Sequence, residues 1–253
     1  MKGNTMQPTS SSHVPGLVPK KTFILEGNIG AGKSTFLNII AKMLDADVIL
    51  EPTDKWQKVG TTGNLLDLFY KDTPRWAYTF QSYAFISRIE TLQENDNLSS
   101  GKNIQFLERS IYCDRFCFAK NCYKSGFMTD LEWQIYKDWF AWLEEKYAKK
   151  PSGFIYLQAD PTICYQRLTK RNRSEETAIP LSYLTDLHNM HEDWLIEKKD
   201  VHGTLRNIPV LTINGNTEFE KNEKRQNEII EQILQFINQT NQAKPQKQVQ
   251  QTL

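Results

Sequence analysis

The chain has 253 residues, of which 39% are apolar and 24% are charged, and its 31 Lys and Arg residues nearly balance its 30 Asp and Glu residues. This length allows one globular domain with a sizeable core, but a formal net charge of +1 provides no positive field for a nucleic-acid backbone or an anionic membrane surface. No apolar stretch reaches the roughly 18 residues that a membrane span needs, so we expect a soluble protein without nucleic-acid or membrane partners.

The two ends of the chain differ in composition from its middle. Residues 1–20 are rich in Ser, Thr, Pro and Gly, and residues 239–253 are rich in Gln and Lys. Because such segments bury too little apolar surface to order themselves, we expect two disordered tails around one domain of residues 21–238. The first twenty residues contain no Arg and no apolar signal core, which favours a cytoplasmic over a mitochondrial location.

Five short apolar runs divide this domain, at residues 22–27, 46–52, 103–110, 153–160 and 208–215. Segments with helical spacing alternate with them, such as Leu37, Ile40 and Leu44 after the first run. Strands that are apolar along their whole length and alternate with helices form parallel sheets covered on both faces. The sequence therefore predicts an α/β fold with a five-stranded parallel sheet, and long helical stretches at residues 64–95 and 114–148.

Four cysteines are too few for a disulfide framework in a chain of this length. Cys113, Cys117 and Cys122 follow near-helical spacing and do not form the close pairs of a typical zinc site. We expect them to be small buried thiols. His188 and His191, three residues apart on a predicted helix, are likewise expected to pack in the core and not to bind a metal.

The strongest motif lies between the first predicted strand and the helix after it. Residues 27–34 read GNIGAGKS, which matches the phosphate-binding pattern GxxxxGK[ST]. Its glycines let successive backbone N–H groups converge on phosphate oxygens at a helix N-terminus. Lys33 is then expected to reach the β- and γ-phosphates of a nucleotide, and the Ser34 hydroxyl to bind Mg²⁺. A switch GTPase is disfavoured, because the chain lacks the base-reading NKxD motif.

Acidic residues end the second and third predicted strands, at the edge where a parallel sheet binds its ligands. Glu51 ends the second, and Glu108 ends the third beside Arg109. A carboxylate there suits Mg²⁺, and an Arg suits a phosphate or the oxygen of a nucleophile. The alternative for Glu51 alone is a capping residue on a surface turn.

A basic segment follows the fourth predicted strand. Arg167 and Arg171 are four residues apart, so on a helix they share one face. Beside a phosphate-binding loop, we interpret this segment as a short lid that brings arginines to a transferring phosphoryl group. A solvated charge run is the alternative.

These motifs, in this order, resemble the deoxyribonucleoside kinase family, the group of deoxycytidine, deoxyguanosine and deoxyadenosine kinases. The resemblance covers residues 22–236. It is carried by GNIGAGKST (27–35), the EP at 51–52 followed by Trp56, PRWAYTFQSYAFISR (74–88), LERSIYCDRFCFA (107–119), RLTKRNRSEE (167–176) and IPLSYLTDLHNMHEDWL (179–195).

The resemblance implies a P-loop kinase fold and a role for each motif. Glu51 would be the general base for the sugar 5′-hydroxyl, and Arg109 would hold the same oxygen. Ser34 and Glu108 would be the Mg²⁺ partners, and Arg167, Arg171 and Arg173 the lid arginines. The implied ATP-binding set is Gly27, Asn28, Ile29, Gly30, Ala31, Gly32, Lys33, Ser34, Thr35 and Phe219, the last covering the adenine. The implied nucleoside-binding set adds Tyr70 and Glu176 at the 3′-hydroxyl, Gln81, Arg88 and Asp114 at the base edge, and Trp56, Phe80 and Phe118 as apolar walls.

The sequence thus predicts an ATP- and Mg²⁺-dependent kinase that phosphorylates the 5′-hydroxyl of 2′-deoxyribonucleosides in nucleotide salvage. An ionised Asp114 only accepts hydrogen bonds, so it suits cytosine, adenine and guanine and opposes the O4 of thymine. We expect purine deoxynucleosides, deoxyguanosine or deoxyadenosine, as substrates, with deoxycytidine as the alternative. A structural ion pair of Arg88 with Asp114 is the alternative to base reading.

Two rival functions remain, a nucleoside monophosphate kinase and a non-catalytic nucleotide-binding module. The first needs basic residues around the acceptor phosphate, where Glu51 would be repulsive, and the second needs neither Glu51 nor a lid. The predicted helix with Trp133, Tyr136, Trp139 and Phe140 has more apolar surface than one domain helix needs. With the dimeric habit of the family that the chain resembles, this favours a homodimer.

Overall fold

The computed structural model describes residues 20–61, 63–96 and 100–242. These residues contain the strands β1 (Lys21–Glu26), β2 (Asp47–Ile49), β3 (Ile104–Glu108), β4 (Gly153–Gln158) and β5 (Val210–Asn214). They form one sheet with the order β2-β3-β1-β4-β5, in which all neighbouring strands are parallel. Four strands lie within the predicted apolar runs and β1 begins one residue before its run, so the predicted α/β parallel sheet is confirmed.

Helices cover both faces of this sheet, as the apolar strands require. The helices are α1 (Lys33–Met43), α2 (Thr53–Gln57), α3 (Leu65–Lys71), α4 (Thr73–Asp96), α5 (Ile111–Cys113), α6 (Ala119–Lys124), α7 (Asp130–Tyr147), α8 (Pro161–Arg171), α9 (Leu181–His191) and α10 (Glu223–Gln242). One core cluster joins the sheet to α1, α8, α9 and α10, and a second joins it to α4, α5 and α7.

The two long helical stretches predicted at residues 64–95 and 114–148 are each divided. The first breaks at Asp72, because Pro74 in the first turn of α4 lacks the N–H group that a continuous helix would use. The second consists of a π-helical turn over Asp114–Phe118, then α6 and α7. Thr129 and Glu132 form a reciprocal capping box that starts α7.

The helix α10 continues to Gln242, four residues beyond the predicted end of the domain at residue 238. Its Ile229, Ile233 and Ile237 stripe is buried against the sheet. The remaining parts of the two predicted tails, residues 1–19 and 243–253, lie outside the described residues. Within the part that is described, no helix combines the length and apolar character needed to cross a membrane.

The prediction that four aromatic residues of α7 form an apolar outer surface is wrong for three of them. Trp133, Tyr136 and Phe140 are buried in the core of this chain, and only Trp139, 51% exposed, faces outward. The three recur every three or four residues, which places them on the face that packs against α4. Cys113, Cys117 and Cys122 are buried free thiols, as predicted, and Cys164 is buried as well.

Candidate active site

A cavity of about 720 Å³ opens where the sheet meets the loops that follow β1, β2 and β3. The residues predicted for the active site converge on it from seven separate segments of the chain. Gly27, Asn28 and Ala31 do not line it and form the underside of the phosphate loop. The predicted residues that line it are Ile29, Gly30, Gly32, Lys33, Ser34, Thr35, Glu51, Trp56, Tyr70, Phe80, Gln81, Arg88, Glu108, Arg109, Asp114, Phe118, Arg167, Arg171, Arg173, Glu176 and Phe219.

The loop of residues 27–32 has a backbone that only glycine tolerates at its turning points. Gly30 has a φ of +78°, and a Cβ built on it would lie 2.4 Å from the carbonyl oxygen of Cys164. Asn28 holds the underside, since its Nδ2 donates to the carbonyl oxygen of Leu184 at 2.7 Å. The loop is therefore shaped by close approach to α8 and α9, and Ile29, Gly30 and Gly32 line the cavity at the N-terminus of α1, as in a phosphate site.

Two cations border this loop. The Lys33 ammonium is buried and donates to the carbonyl oxygen of Asn28 at 2.8 Å. Burial, followed by the charge of Arg109, lowers the pKa of Lys33 to about 8. On the opposite side, Arg167 Nη1 donates to the carbonyl oxygens of Ala31 at 3.1 Å and Gly215 at 2.8 Å. The charge of Arg167 is thus fixed against the loop.

Ser34 and Glu108 bring two oxygen groups together beside the loop. The Ser34 hydroxyl donates to Glu108 Oε1 at 2.9 Å and lies 3.2 Å from Oε2. Hydroxyl and carboxylate oxygens are the ligands that Mg²⁺ takes, usually with phosphate oxygens and water completing the shell. These residues, one on α1 and one at the end of β3, fit a magnesium ion bound with a nucleotide.

Glu51 is held by two guanidinium groups. Arg88 Nη2 forms a short ion pair with Glu51 Oε1, and Arg109 Nε lies 3.2 Å from the same oxygen. Burial alone would raise the pKa of Glu51, but Arg88, Arg109 and Lys33 together outweigh it and lower that pKa to about 2. Glu51 is therefore a carboxylate at neutral pH, and it is not a capping residue on a surface turn.

Arg109 is held in an uncommon backbone conformation, with a φ of +62°. A non-glycine residue in this region carries strain of order 1–3 kcal/mol, and such strain clusters at functional sites. The Arg109 N–H donates to the carbonyl oxygen of Leu25 at 2.9 Å, which continues the sheet by one bond. The reversed backbone turns the guanidinium over the Phe118 ring, 4.7 Å from its centre, and towards Glu51.

Arg88 also joins Asp114, deep in the same cavity. Its Nε lies 2.9 and 3.1 Å from the two Asp114 oxygens, and Asp114 is only 1% exposed. Burial raises the pKa of Asp114 more than Arg88 lowers it, to about 6. One guanidinium therefore connects the predicted general base to the predicted base reader, and the two residues are an ion pair that also lines the cavity.

Aromatic rings form the wall of this part of the cavity. Trp56 and Phe80 meet edge to face at 5.5 Å, and Phe69 stacks on Phe80 at 4.5 Å. Gln81 Nε2 lies 3.9 Å from Cys122 Sγ. The flat slot between these rings and the Arg88–Asp114 pair fits a planar heterocycle with polar edges.

The predicted lid, residues 167–176, closes on itself. Arg173 Nη1 lies 3.1 Å from Glu176, and Arg171 forms a short ion pair with the same carboxylate. Next to it, Glu175 accepts from Gln57 at 2.8 Å and from Asn64. Arg171, Arg173 and Glu176 are thus one cluster, and Glu175 ties that cluster to α2 and α3. Arg167, the third predicted lid arginine, is held apart from it against the phosphate loop.

Sequence reasoning missed several residues that line the cavity. Ala84 lies one turn from Gln81 on α4, so helical spacing from a predicted residue offered a signal for it. Phe69 directly precedes Tyr70 on α3, and neighbouring helix positions do not share a face, so spacing gave no signal for Phe69. No motif marked the acidic residues on either side of Phe219. The missed lining residues are Leu50, Thr53, Leu66, Phe69, Ala84, Lys170, Glu218 and Glu220.

Comparison with known proteins shows which family this chain is similar to. A family model described as deoxynucleoside kinase matches residues 23–238. A fowlpox virus protein named "Probable deoxycytidine kinase FPV151" is 41% identical, over 87% of this chain and 89% of its own. The human deoxycytidine kinase is 38% identical, over 91% of this chain and 95% of its own. A mitochondrial deoxyguanosine kinase of Xenopus laevis is 35% identical, over 94% of this chain and 99% of its own.

Proposed function

Since this chain belongs to the deoxynucleoside kinase family, we propose that it transfers the γ-phosphoryl group of ATP to the 5′-hydroxyl of a 2′-deoxyribonucleoside whose base presents an N–H donor. The observation that carries this proposal is the chain of contacts from Asp114 through Arg88 to Glu51. These contacts support the proposal because the proposed base reader and the proposed general base share one guanidinium in the cavity that the phosphate loop also lines.

Glu51 is the proposed general base, and its charge state supports that role. A carboxylate accepts the proton of the 5′-hydroxyl as the oxygen attacks, and the Arg109 guanidinium beside it stabilises the oxygen that loses the proton. A nucleoside monophosphate kinase fits poorly, because a phosphate on the acceptor would meet the Glu51 carboxylate. A non-catalytic binding module would have no use for a carboxylate held by two guanidiniums.

Ser34 and Glu108 are the proposed magnesium partners. They would hold the ion, which would supply positive charge to offset that of the ATP phosphates. Lys33 and the loop N–H groups bind the same phosphates, and Phe219, which packs on Phe36 at 5.7 Å beside Gly32, covers the adenine.

The lid provides the remaining charge. Arg171 and Arg173 both form ion pairs with Glu176. A bound nucleoside that hydrogen-bonds Glu176 through its 3′-hydroxyl would weaken these ion pairs, and both guanidiniums could then approach the phosphates. Tyr70 lines the cavity beside Glu176 and is the proposed second partner of that hydroxyl. Burial, followed by the charge of Glu176, raises the pKa of Tyr70, so its hydroxyl keeps its proton and donates.

Asp114 determines the class of base in this proposal. Cytosine, adenine and guanine each present an amino or ring N–H donor to a carboxylate, whereas thymine would place an acceptor against it. Relatives named for deoxycytidine and for deoxyguanosine both occur. The preference for purines stays a prediction, and deoxycytidine is its equal as a first substrate to test.

A phosphoryl-transfer assay with labelled ATP and Mg²⁺ tests the function. Deoxycytidine, deoxyadenosine, deoxyguanosine, thymidine and the corresponding monophosphates are each offered at one concentration. We expect at least one of the first three nucleosides to be phosphorylated, thymidine to be poor, and no monophosphate to react. Transfer to monophosphates alone, or to thymidine above all, would overturn the proposal.

A variant pair tests the base reader separately. Arg88→Met together with Asp114→Ala removes the polar mismatch, so the kcat/KM ratio of thymidine to deoxyguanosine should rise. Because Arg88 also contacts Glu51, the absolute rates of both substrates should fall, and the ratio is the quantity to compare. An unchanged ratio would mean that the pair is structural and that the base is read elsewhere.

We also propose that two copies associate through α7. Its outward face carries an apolar stripe of Leu131, Ile135, Trp139 and Trp142, which recur three or four residues apart and are each more than a third exposed. Such a stripe marks an interaction surface. Sedimentation velocity should show a dimer that Trp139→Glu converts to a monomer and that Leu234→Glu, the same change on the exposed side of α10, leaves intact.

The cytoplasm is the proposed compartment, and fractionation of cells that express the full chain tests it.

A further inference from the structure

A buried cluster of Cys113, Cys117 and His191 lies behind the active site, where α5 and the π-helical turn meet the end of α9. All three side chains are at most 1% exposed. Their ligand atoms, two sulfurs and one ring nitrogen, lie within 4.8 Å of one another. The proposed phosphoryl transfer uses none of them.

The orientation of His191 leaves one nitrogen free to bind. Its Nδ1 lies 2.7 Å from the carbonyl oxygen of Leu187 and therefore carries the proton and donates it. The lone pair of Nε2 then faces Cys113 Sγ at 3.6 Å. A ring that is fixed by a backbone carbonyl on one nitrogen and open on the other is the usual arrangement of a metal-binding His.

A fourth polar group lies beside this cluster without a full set of partners. Glu26, at the end of β1, is completely buried, and its Oε1 accepts from the Ser110 hydroxyl at 2.6 Å. Its Oε2 is buried and has no hydrogen-bond partner among the described residues. Burial, followed by the neighbouring Cys113, raises the pKa of Glu26. A buried carboxyl oxygen without a partner is rare and calls for an explanation.

The spacing fits a tetrahedral zinc ion. With bonds of about 2.3 Å to sulfur and about 2.0 Å to nitrogen, tetrahedral angles place the two ligand atoms about 3.5 Å apart. The observed separation of Cys113 Sγ from His191 Nε2 is 3.6 Å. These two ligand atoms would therefore bind the ion without moving apart.

We propose that Cys113, Cys117 and His191 form a binding site for a thiophilic divalent cation, Zn²⁺ being the first to test. The carboxylate of Glu26, which lies outside the group of ligand atoms within 4.8 Å of one another, would move to supply the fourth ligand. Binding forms two metal–thiolate bonds and one metal–carboxylate bond, and it releases two thiol protons and the proton of the Glu26 carboxyl group to solvent; no electron is transferred. Two thiolates, one carboxylate and one divalent ion leave a net charge of −1. The guanidinium of Arg109, whose Nη1 lies 3.5 Å from Cys113 Sγ, offsets that charge.

The same guanidinium connects this site to the active site. Arg109 contacts Cys113 through Nη1 and Glu51 through Nε. Because the occupied site has a net charge of −1, it attracts the Arg109 guanidinium and weakens the contact of Arg109 with Glu51. Occupancy of the site should therefore lower turnover. This coupling rests on the proposed function, whereas the binding itself does not.

Cobalt titration of the full chain tests the binding. Chelator-treated protein is titrated with Co²⁺, whose intense visible bands report tetrahedral thiolate ligation and distinguish it from the oxygen ligands of Ser34 and Glu108. We expect one such ion per chain, displaced by Zn²⁺. Cys117→Ser should weaken binding by about 100-fold or more, since even groups that only orient a metal ligand account for roughly 10- to 100-fold. Cys164→Ser, a buried thiol outside the cluster, should bind like the unaltered chain.

The possible results separate clearly. Absence of tetrahedral bands from the unaltered chain, or equal affinity in Cys117→Ser, would overturn the site and leave Cys113 and His191 as a hydrogen-bonded pair. If Cys117→Ser does not fold, His191→Gln is used in its place. If Zn²⁺ raises the thermal midpoint of His191→Gln as it raises that of the unaltered chain, the proposed site is refuted. Turnover is measured last. Bound Zn²⁺ with unchanged turnover would refute only the coupling through Arg109.

Discussion

Replacing Arg88 with Met removes a cation that lies between two carboxylates. Arg88 Nε is 2.9 Å from Asp114, its Nη2 contacts Glu51, and Asp114 is 1% exposed. Breaking a buried ion pair by deleting one partner costs about 3–5 kcal/mol, because the other charge stays buried without compensation. We expect the free energy of unfolding to fall by about that amount in Arg88→Met, and by less in Arg88→Met with Asp114→Ala.

The size of this loss should depend on pH. The pKa of Asp114 is about 6 in the folded protein, above its ordinary value, and removing Arg88 raises it further. A carboxyl with a raised folded pKa contributes stability that is fully present below its unfolded pKa and is lost as pH rises through the folded pKa. Near pH 5, Asp114 is mostly protonated with or without Arg88, so the two proteins differ least there. The difference should grow from pH 6 to pH 8.

Both effects are measured as free energies of unfolding in urea at pH 5 and pH 8. The proteins compared are the unaltered chain, Arg88→Met, Asp114→Ala and the double variant. Arg88→Lys serves as the control, since it keeps a positive charge near both acids and should lose less than Arg88→Met. A loss that does not change with pH, together with single-variant losses that simply add in the double variant, would refute the energetic coupling of Arg88 to Asp114.

Three further predictions concern the phosphate loop and the base. Glu51→Gln should lower turnover by about 10² to 10⁴, the range for losing a positioned base. Calorimetry should show an unchanged Kd for ATP. Unchanged turnover would exclude Glu51 from catalysis. The pKa of Lys33 is about 8 because burial, followed by Arg109, disfavours its charge. Since ATP phosphates favour the charged form, the Kd for ATP should rise by roughly tenfold per pH unit above that pKa, and a profile as flat as that of Lys33→Ala would contradict this. Gly30→Ala should abolish ATP binding, because its Cβ would lie 2.4 Å from a carbonyl oxygen. Gly60 has a φ of +62° with open space around it, so Gly60→Ala should bind ATP normally. Equal ATP affinities of the two variants would show that the close contact is not the cause.

Local sequence determined the parallel sheet and the phosphate loop. Uninterrupted apolar runs are what a strand buried on both faces requires, and the GNIGAGKS pattern defines a backbone shape over eight consecutive residues. The same logic failed for the long helical stretches. The predicted helical stretch continues across Asp72, whereas the backbone requirements of Pro74 end one helix there and start the next.

Tertiary structure alone decided how the charges are paired. Arg88 is 37 residues from Glu51 and 26 from Asp114, and no local pattern shows that one guanidinium serves both. Likewise, Glu176 appeared in the sequence as a nucleoside ligand, and in the fold it also neutralises Arg171 and Arg173. Buried charges pair with whichever opposite charge the fold brings within reach, because desolvation makes an unpaired charge costly. That choice depends on distances between segments, which spacing along the chain does not contain.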